Sequence, residues 1–334
     1  MQNKNTTQLT SAEVGTLWTT YMNDSMAACI LECFLEKVKD GSIRPIVDYA
    51  LNVSKSHIKT ITGIFGKEGH PIPRGFNEED YDVDADRLYR DSYYLYYLRN
   101  MARMGMEAYG VAMSVSTRQD VLDFFTGCLS TSAELSRRVT SVLLSLGMYI
   151  KPPVITVPEQ TDFVKKDSFL AGFFGKHRKM TAIEITHVFE NLQYNNAGKA
   201  LLTGFAQVAE SGRVKELMGR GAGMAEKHIG IFADKLKEDG IPAPVPWDTF
   251  VTSSTDPVFS DKLMLFHTTI LVASGIGDYG VAMGTSMRQD MQADYVRLTA
   301  EIAQYAADCL KVMIDNGWME QPPQAVNHEA LARQ

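Results

Sequence analysis

The sequence predicts an all-α fold of two tandem four-helix bundles, and three observations predict it. Apolar residues recur at helical spacing through eight long segments. No segment shows a convincing strand alternation. The chain also repeats itself: Tyr109–Asp120 reads YGVAMSVSTRQD and Tyr279–Asp290 reads YGVAMGTSMRQD, identical at nine of twelve positions.

The repeat extends in both directions from that match. LTSAEV (Leu9–Val14) faces MTAIEI (Met180–Ile185), and His57-Ile58 faces His228-Ile229. Pro71 and Pro73 fall on Pro242 and Pro244, Gly147 on Gly317, and Pro152-Pro153 on Pro322-Pro323. The offset changes only from 171 to 170, so order and spacing are kept throughout. A first copy over 1–153, a linker over 154–179 and a second copy over 180–334 follow.

In the first copy the spacing predicts helices over about 10–39, 42–68, 86–115 and 118–147. Asp40-Gly41-Ser42 closes the first helix and opens the second, and Gly69, Pro71 and Pro73 close the second. Ser116-x-x-Gln119 and Ser286-x-x-Gln289 have the form of capping boxes opening the fourth helix of each copy. Gly147 and Gly317 stand where helix C-caps belong. The second copy repeats the pattern over about 181–211, 213–239, 257–285 and 287–316.

The connection between helices two and three predicts the topology. In the second copy it carries Pro242, Pro244, Pro246 and Pro257. About 16 proline-rich residues at ~3.1 Å each span ~50 Å. A helix of about 28 residues at ~1.5 Å each is ~42 Å long. The connection can run the length of the bundle, which favours an up-down-down-up arrangement with one long crossover, the ferritin-like one. The linker contains the apolar piece Phe169-Leu170-Ala171-Gly172-Phe173-Phe174-Gly175 and is expected to dock in the groove between copies. A membrane-touching hairpin is the alternative, because Lys165, Lys166, Lys176, Arg178 and Lys179 flank it.

Composition narrows the classes of function. With 45% hydrophobic and 22% charged residues, each half can bury a core of its own. A net charge of −7 argues against nucleic acid as a main partner. The chain contains no run near the ~20 apolar residues of a transmembrane helix, so a cytoplasmic protein is expected. Cys29 and Cys33 would share a helix face, and small core residues are the expected reading of both.

Several motifs resemble one family. FLAGFFGKHR, EITH at Glu184–His187, AEKHI at Ala225–Ile229, PAPVPW at Pro242–Trp247, FSDKLM at Phe259–Met264 and GIGDYG at Gly275–Gly280 are similar to domain-of-unknown-function family 3231 of Bacilli. The resemblance covers nearly the whole chain and implies tandem ferritin-like bundles. It implies no activity. By analogy with ferritin-like proteins of spore-forming bacteria, it leaves a sporulation role open.

A ferritin-like fold raises the question of a di-iron site, which needs Glu-x-x-His on two helices and a Glu on each of the other two. The second copy has Glu184-Ile185-Thr186-His187, near its helix start, while the first copy has Glu13-Val14-Gly15-Thr16 and no His. His57 and His228 have Ser54 and Ala225 three residues upstream. The pattern fails in both copies, so no metal or cofactor is expected. Glu184, His187, His228 and His267 remain as candidate ligands, with His228 and His267 the pair that could lie at one level. His57 and His228 are kept in both copies, which suits either one shared structural hydrogen bond or a proton-linked pair. Arg118, Asp120, Arg288 and Asp290 are also kept, and suit helix-start chemistry or a polar site at the bundle end. The run Tyr93-Tyr94-Leu95-Tyr96-Tyr97-Leu98 is expected to pack in the core or against the other copy.

The expected role is non-enzymatic: a structural or interaction protein, sporulation- or stress-associated by analogy, with an oligomer open. Two alternatives stand beside it, a degenerate ferritin-like oxidase and a binder of a small apolar ligand in a bundle cavity. The expected partner is therefore another protein or such a ligand.

Overall fold

The computed structural model describes residues 8–173, 177–244 and 250–325. Eight long helices follow in order: α1 (Ser11–Lys37), α2 (Arg44–Glu68), α3 (Asp91–Val115), α4 (Gln119–Ser145), α5 (Ala182–Val208), α6 (Gly212–Glu238), α7 (Asp261–Thr285) and α8 (Gln289–Asp315). The described residues contain no strand, only two isolated bridges. Pro246, Trp247, Phe174, Gly175 and Lys176 lie outside the described residues.

Local chemistry sets most of the boundaries. Thr10 and Thr181 each make a reciprocal capping box with the glutamate three residues on, Glu13 or Glu184. Gly69 closes α2 at φ 69°, and Gly147 and Gly317 follow α4 and α8 at φ 67° and 66°, a left-handed conformation that glycine adopts without strain. The expected boxes at Ser116 and Ser286 do not form. Both serine hydroxyls turn back to the carbonyls of Ala112 and Ala282, and Arg118 and Arg288 hold the N-cap positions.

Hydrogen bonds at the bundle ends give the direction of each helix. Glu13 Oε1 accepts from the backbone N–H groups of Thr117 and Arg118, both at 2.8 Å, tying the start of α1 to the α3–α4 turn. Arg118 reaches Glu68 at 2.7 Å, adding the end of α2 to that corner. At the far end, Asp91 opens α3 and accepts from the N–H groups just past α1. Helices α1 and α4 therefore run one way, and α2 and α3 the other. The crossover 69–90 spans the bundle, as the prolines predict. The second copy repeats this through Glu184 with Met287 and Arg288, and Asp261 with Glu210 and Ser211.

The two crossovers then meet. Asp82 N donates to Val258 O at 3.0 Å and Thr252 N donates to Leu88 O at 2.9 Å. Arg90 N donates to Phe250 O and Ser260 N to Asp80 O, each at 2.9 Å. Each pair of bonds is the same bond read from opposite copies, so a pseudo-two-fold axis relates the modules. This pairing keeps residues 86–90 and 257–260 extended, which is why α3 and α7 begin later than their apolar spacing suggests. One continuous apolar core runs through both copies.

The aromatic run divides its work. Tyr94 stacks on Phe34 within its own bundle, with centroids 4.0 Å apart. Tyr89 and Tyr93 donate across the seam to the carbonyls of Leu201 and Ala197, at 2.7 and 3.1 Å. Gly204 makes room, because a Cβ there would lie 2.6 Å from the Tyr89 ring. With the crossovers occupying the seam, the linker stays outside it: residues 154–168 are exposed, Val154 at 98%. Its later part packs on the end of the second bundle instead, where Leu170 O accepts from Gln289 N and Arg178 lies over Phe169.

Candidate functional site

The first copy encloses a cavity of about 320 Å³ between α1, α2, α3 and α4. Helices α5 and α7 close it on the seam side through Ala197, Gly198, Leu201 and His267. It reaches the surface beside Thr19 and Ala108, both exposed. Its size falls at the lower end of the range of about 300–1,000 Å³ for small-molecule sites. Small residues create the space: Ala27 on α1, Ala50 on α2, Gly105 on α3 and Ser132 on α4. A Cβ on Gly105 would lie 2.5 Å from Ser132 Oγ, so glycine there lets α3 approach α4.

One polar cluster stands on the cavity wall. His57 Nδ1 lies 3.0 Å from Asp24 Oδ2, and Tyr109 donates to the same oxygen at 3.4 Å. All three come from different helices. Asp24 and His57 are buried. Burial first, and the Asp24 charge second, raise the Tyr109 phenol well above its ordinary range, so it stays a donor. His267 also lines the cavity. Its Nε2 lies 3.0 Å from Tyr97 Oη, and its Nδ1 is buried without a partner. Burial pushes its imidazole down to about 4, so it is neutral near pH 7.

The second copy treats the equivalent space differently. Asn23, Ser132 and Leu135 have the counterparts Tyr194, Ile302 and Tyr305, all larger and all buried. Tyr305 reaches across to Gly221, the counterpart of Ala50, where a Cβ would lie 2.3 Å from its hydroxyl. The histidine and tyrosine are kept, but their surroundings are not. His228 Nδ1 lies 2.9 Å from Tyr279 Oη and its Nε2 lies 3.1 Å from Glu301. Asn195 stands in place of Asp24 and donates to Tyr279 at 2.9 Å. The hydrogen bonding of His57 and His228 is therefore not one shared arrangement: the carboxylate sits inside the first bundle and at the rim of the second. Burial lowers the His228 imidazole, with Glu301 opposing.

The candidate metal ligands are dispersed. Glu184 lies at the bundle end, bonded by Arg178, Thr181 and the N–H groups of Met287 and Arg288. His187 Nε2 is buried without a partner, and burial lowers its imidazole. His228 bonds within its own bundle to Tyr279 and Glu301, whereas His267 faces Tyr97 across the seam, so the two have separate partners. Among the described residues no three His, Cys, Asp or Glu side chains gather as a metal site.

The shared arginines and aspartates satisfy one another. Arg118 donates to both oxygens of Asp120 at 2.8 and 2.7 Å, and Arg288 to both of Asp290 at 3.1 and 2.8 Å. Lys235 adds a third donor to Asp290. These pairs lock the bundle ends. Cys29 and Cys33 are buried free thiols, as expected of core residues, and burial pushes both up to about 12.

A family model described as "Protein of unknown function (DUF3231)" matches residues 1–161 and again residues 168–331. The chain belongs to that family. Each match to DUF3231 takes in one bundle, so the family unit is the four-helix module. No curated protein matches the chain. Among solved structures, a candidate spore coat protein from Bacillus halodurans is similar to it at 16% identity and a TM-score of 0.42. That match covers 46% of the DUF3231 chain and 100% of the other. Among the described residues no helix is long and apolar enough to cross a membrane.

Sequence reasoning raised a bundle cavity as an alternative, but missed Asp24 and which copy holds the space. The signal was present in the self-comparison, where Ser132 faces Ile302 and Leu135 faces Tyr305. Those changes gain meaning only once the helices are known to turn these positions toward one space.

Proposed function

We propose that this protein binds a small, largely apolar ligand inside its first bundle and works without catalysis, as a carrier or sensor. One observation carries the reading: a cavity of about 320 Å³ is kept in the first copy, beside Ser132 and Leu135, where the second places the larger, buried Ile302 and Tyr305. The sporulation- or stress-linked setting suggested by the family resemblance remains part of the proposal, and time of expression tests it.

Calorimetric titration with benzyl alcohol tests the binding, using the wild type beside a variant that copies the second bundle, Ser132→Ile with Leu135→Tyr. Saturable binding by the wild type and none by the filled variant is the expected result. Equal behaviour of the two would overturn the reading. It calls for no resident metal, and stoichiometric iron or manganese in the purified protein would overturn that part.

A further inference from the structure

We infer that the ligand carries a cationic, hydrogen-bond-donating head, a primary amine on an apolar body, and that Asp24 receives it. The inference rests on the binding reading above and adds the chemical class of the ligand.

Charge is the first argument. Among the described residues, no Lys or Arg lines the cavity. Its carboxylate is Asp24, and its histidines are His57 and His267. Whatever the proton count on His57, an ion pair with Asp24 or a neutral ring beside it, the lining carries no net positive charge while His267 is neutral. A carboxylate or phosphate entering this space would lose its hydration and meet no counter-charge, a large penalty. A fatty acid is thereby disfavoured. An amine meets a carboxylate and an aromatic wall that includes Tyr93, Tyr97 and Tyr109.

Hydrogen bonding is the second argument. Both internal contacts of Asp24 fall on Oδ2, from His57 and Tyr109, which leaves Oδ1 for a donor from the ligand. Asn23 Oδ1, an acceptor on the same wall, is buried without a partner. A donor-bearing head fits these acceptors, whereas a head group that only accepts would leave them unpaired.

The comparison of the copies is the third argument. Where the bulky residues enter, Asp24 becomes Asn195, and the amide is turned inward to Tyr279. The buried carboxylate of Asp24 and the cavity beside it occur in the same copy. A carboxylate needed only to orient the histidine could remain at that position in both, and in the second copy Glu301 takes that task from the rim.

A matched probe series tests the inference: hexylamine, hexanol and hexanoate, titrated near neutral pH into the full chain and into Asp24→Asn. The wild type is expected to bind hexylamine about 10-fold or more tightly than hexanol, the scale of one charge-assisted hydrogen bond, with hexanoate weakest. Asp24→Asn is expected to lose the preference for the amine over hexanol. Thr131→Lys, which brings a cation to the wall and does not touch Asp24, should weaken hexylamine and admit hexanoate. Hexanol binding with no amine preference in the wild type, or a preference that survives in Asp24→Asn, overturns the inference and leaves the cavity reading standing. Binding of none of the three overturns both.

Discussion

Tyr97 and His267 occupy the same position in the two copies, 170 residues apart, and the phenol oxygen and Nε2 meet at 3.0 Å across the axis that relates the modules. The same axis relates the backbone bonds between the crossovers. Each module presents one patch to its twin and receives the same patch in return, as two subunits of a symmetric dimer do. Duplication has placed a dimer interface inside a single chain. It has also freed the two copies to differ, as Ser132 and Leu135 differ from Ile302 and Tyr305 beside the cavity of the first.

Replacing Tyr97 with Phe removes the partner of a buried imidazole nitrogen. A loss on the order of 1–3 kcal/mol is expected, because a buried group is left without its partner. Urea denaturation monitored by circular dichroism measures it. An unchanged midpoint would show that the contact contributes nothing.

Separating the copies exposes Tyr89, Tyr93 and Tyr97 together with the extended crossovers. The first copy expressed alone is expected to dimerise or aggregate rather than remain a monomer. Light scattering after size-exclusion chromatography gives the mass, and a stable monomer would contradict the shared core.

Mild acid is expected to weaken the fold through its histidines. Burial holds His267 at about 4, below the ordinary imidazole value of 6.5, and lowers His187 and His228 as well. The unfolded chain therefore takes up protons first as pH falls. Stability is full above about 6.5 and declines toward about 4, with His267 alone accounting for on the order of 3 kcal/mol. Chemical denaturation at a series of pH values measures the slope. His267→Gln should flatten it, and an unaltered slope would mean that the ring is not buried neutral.

Stronger acid is expected to release the bundle corners. For Glu13, burial alone would raise the carboxyl, but the N–H groups of Thr10, Arg118 and Thr117 together outweigh it and hold it at about 2. For Glu184, burial is likewise opposed, by Arg178 first and then by backbone N–H groups, again to about 2. Both are depressed carboxyls, so their contribution is complete above about 4.5 and lost as pH falls toward 2. Glu13→Gln should cost about 1–3 kcal/mol at neutral pH and remove that part of the acid transition. A thermal melt at pH 7 and pH 3 separates the two effects.

Much of this architecture was legible in the sequence. The repeat, the helix periods, the glycine C-caps and the long proline-bearing crossover each follow from local rules, so the topology followed too. What local rules do not contain is which residue of one element meets which residue of another. Ser116 and Gln119 have the spacing of a capping box, yet Glu13, more than a hundred residues away, ties that turn to α1. His228 and His267 sit on successive helices, yet one turns inward to Tyr279 and the other across the seam to Tyr97. Asp24 was overlooked because a lone aspartate in an apolar helix carries no motif, and its meaning comes from the space beside it.

The central claim is that the first bundle keeps an accessible, mainly apolar space of ligand size. Diffraction from crystals pressurised with xenon tests it most directly, since xenon enters apolar cavities and scatters anomalously. The predicted result is a strong anomalous peak among Met101, Met104, Leu135 and Tyr97, and none at that place in the Ser132→Ile, Leu135→Tyr variant. No peak in the wild type, with those side chains collapsed onto one another, would contradict the account.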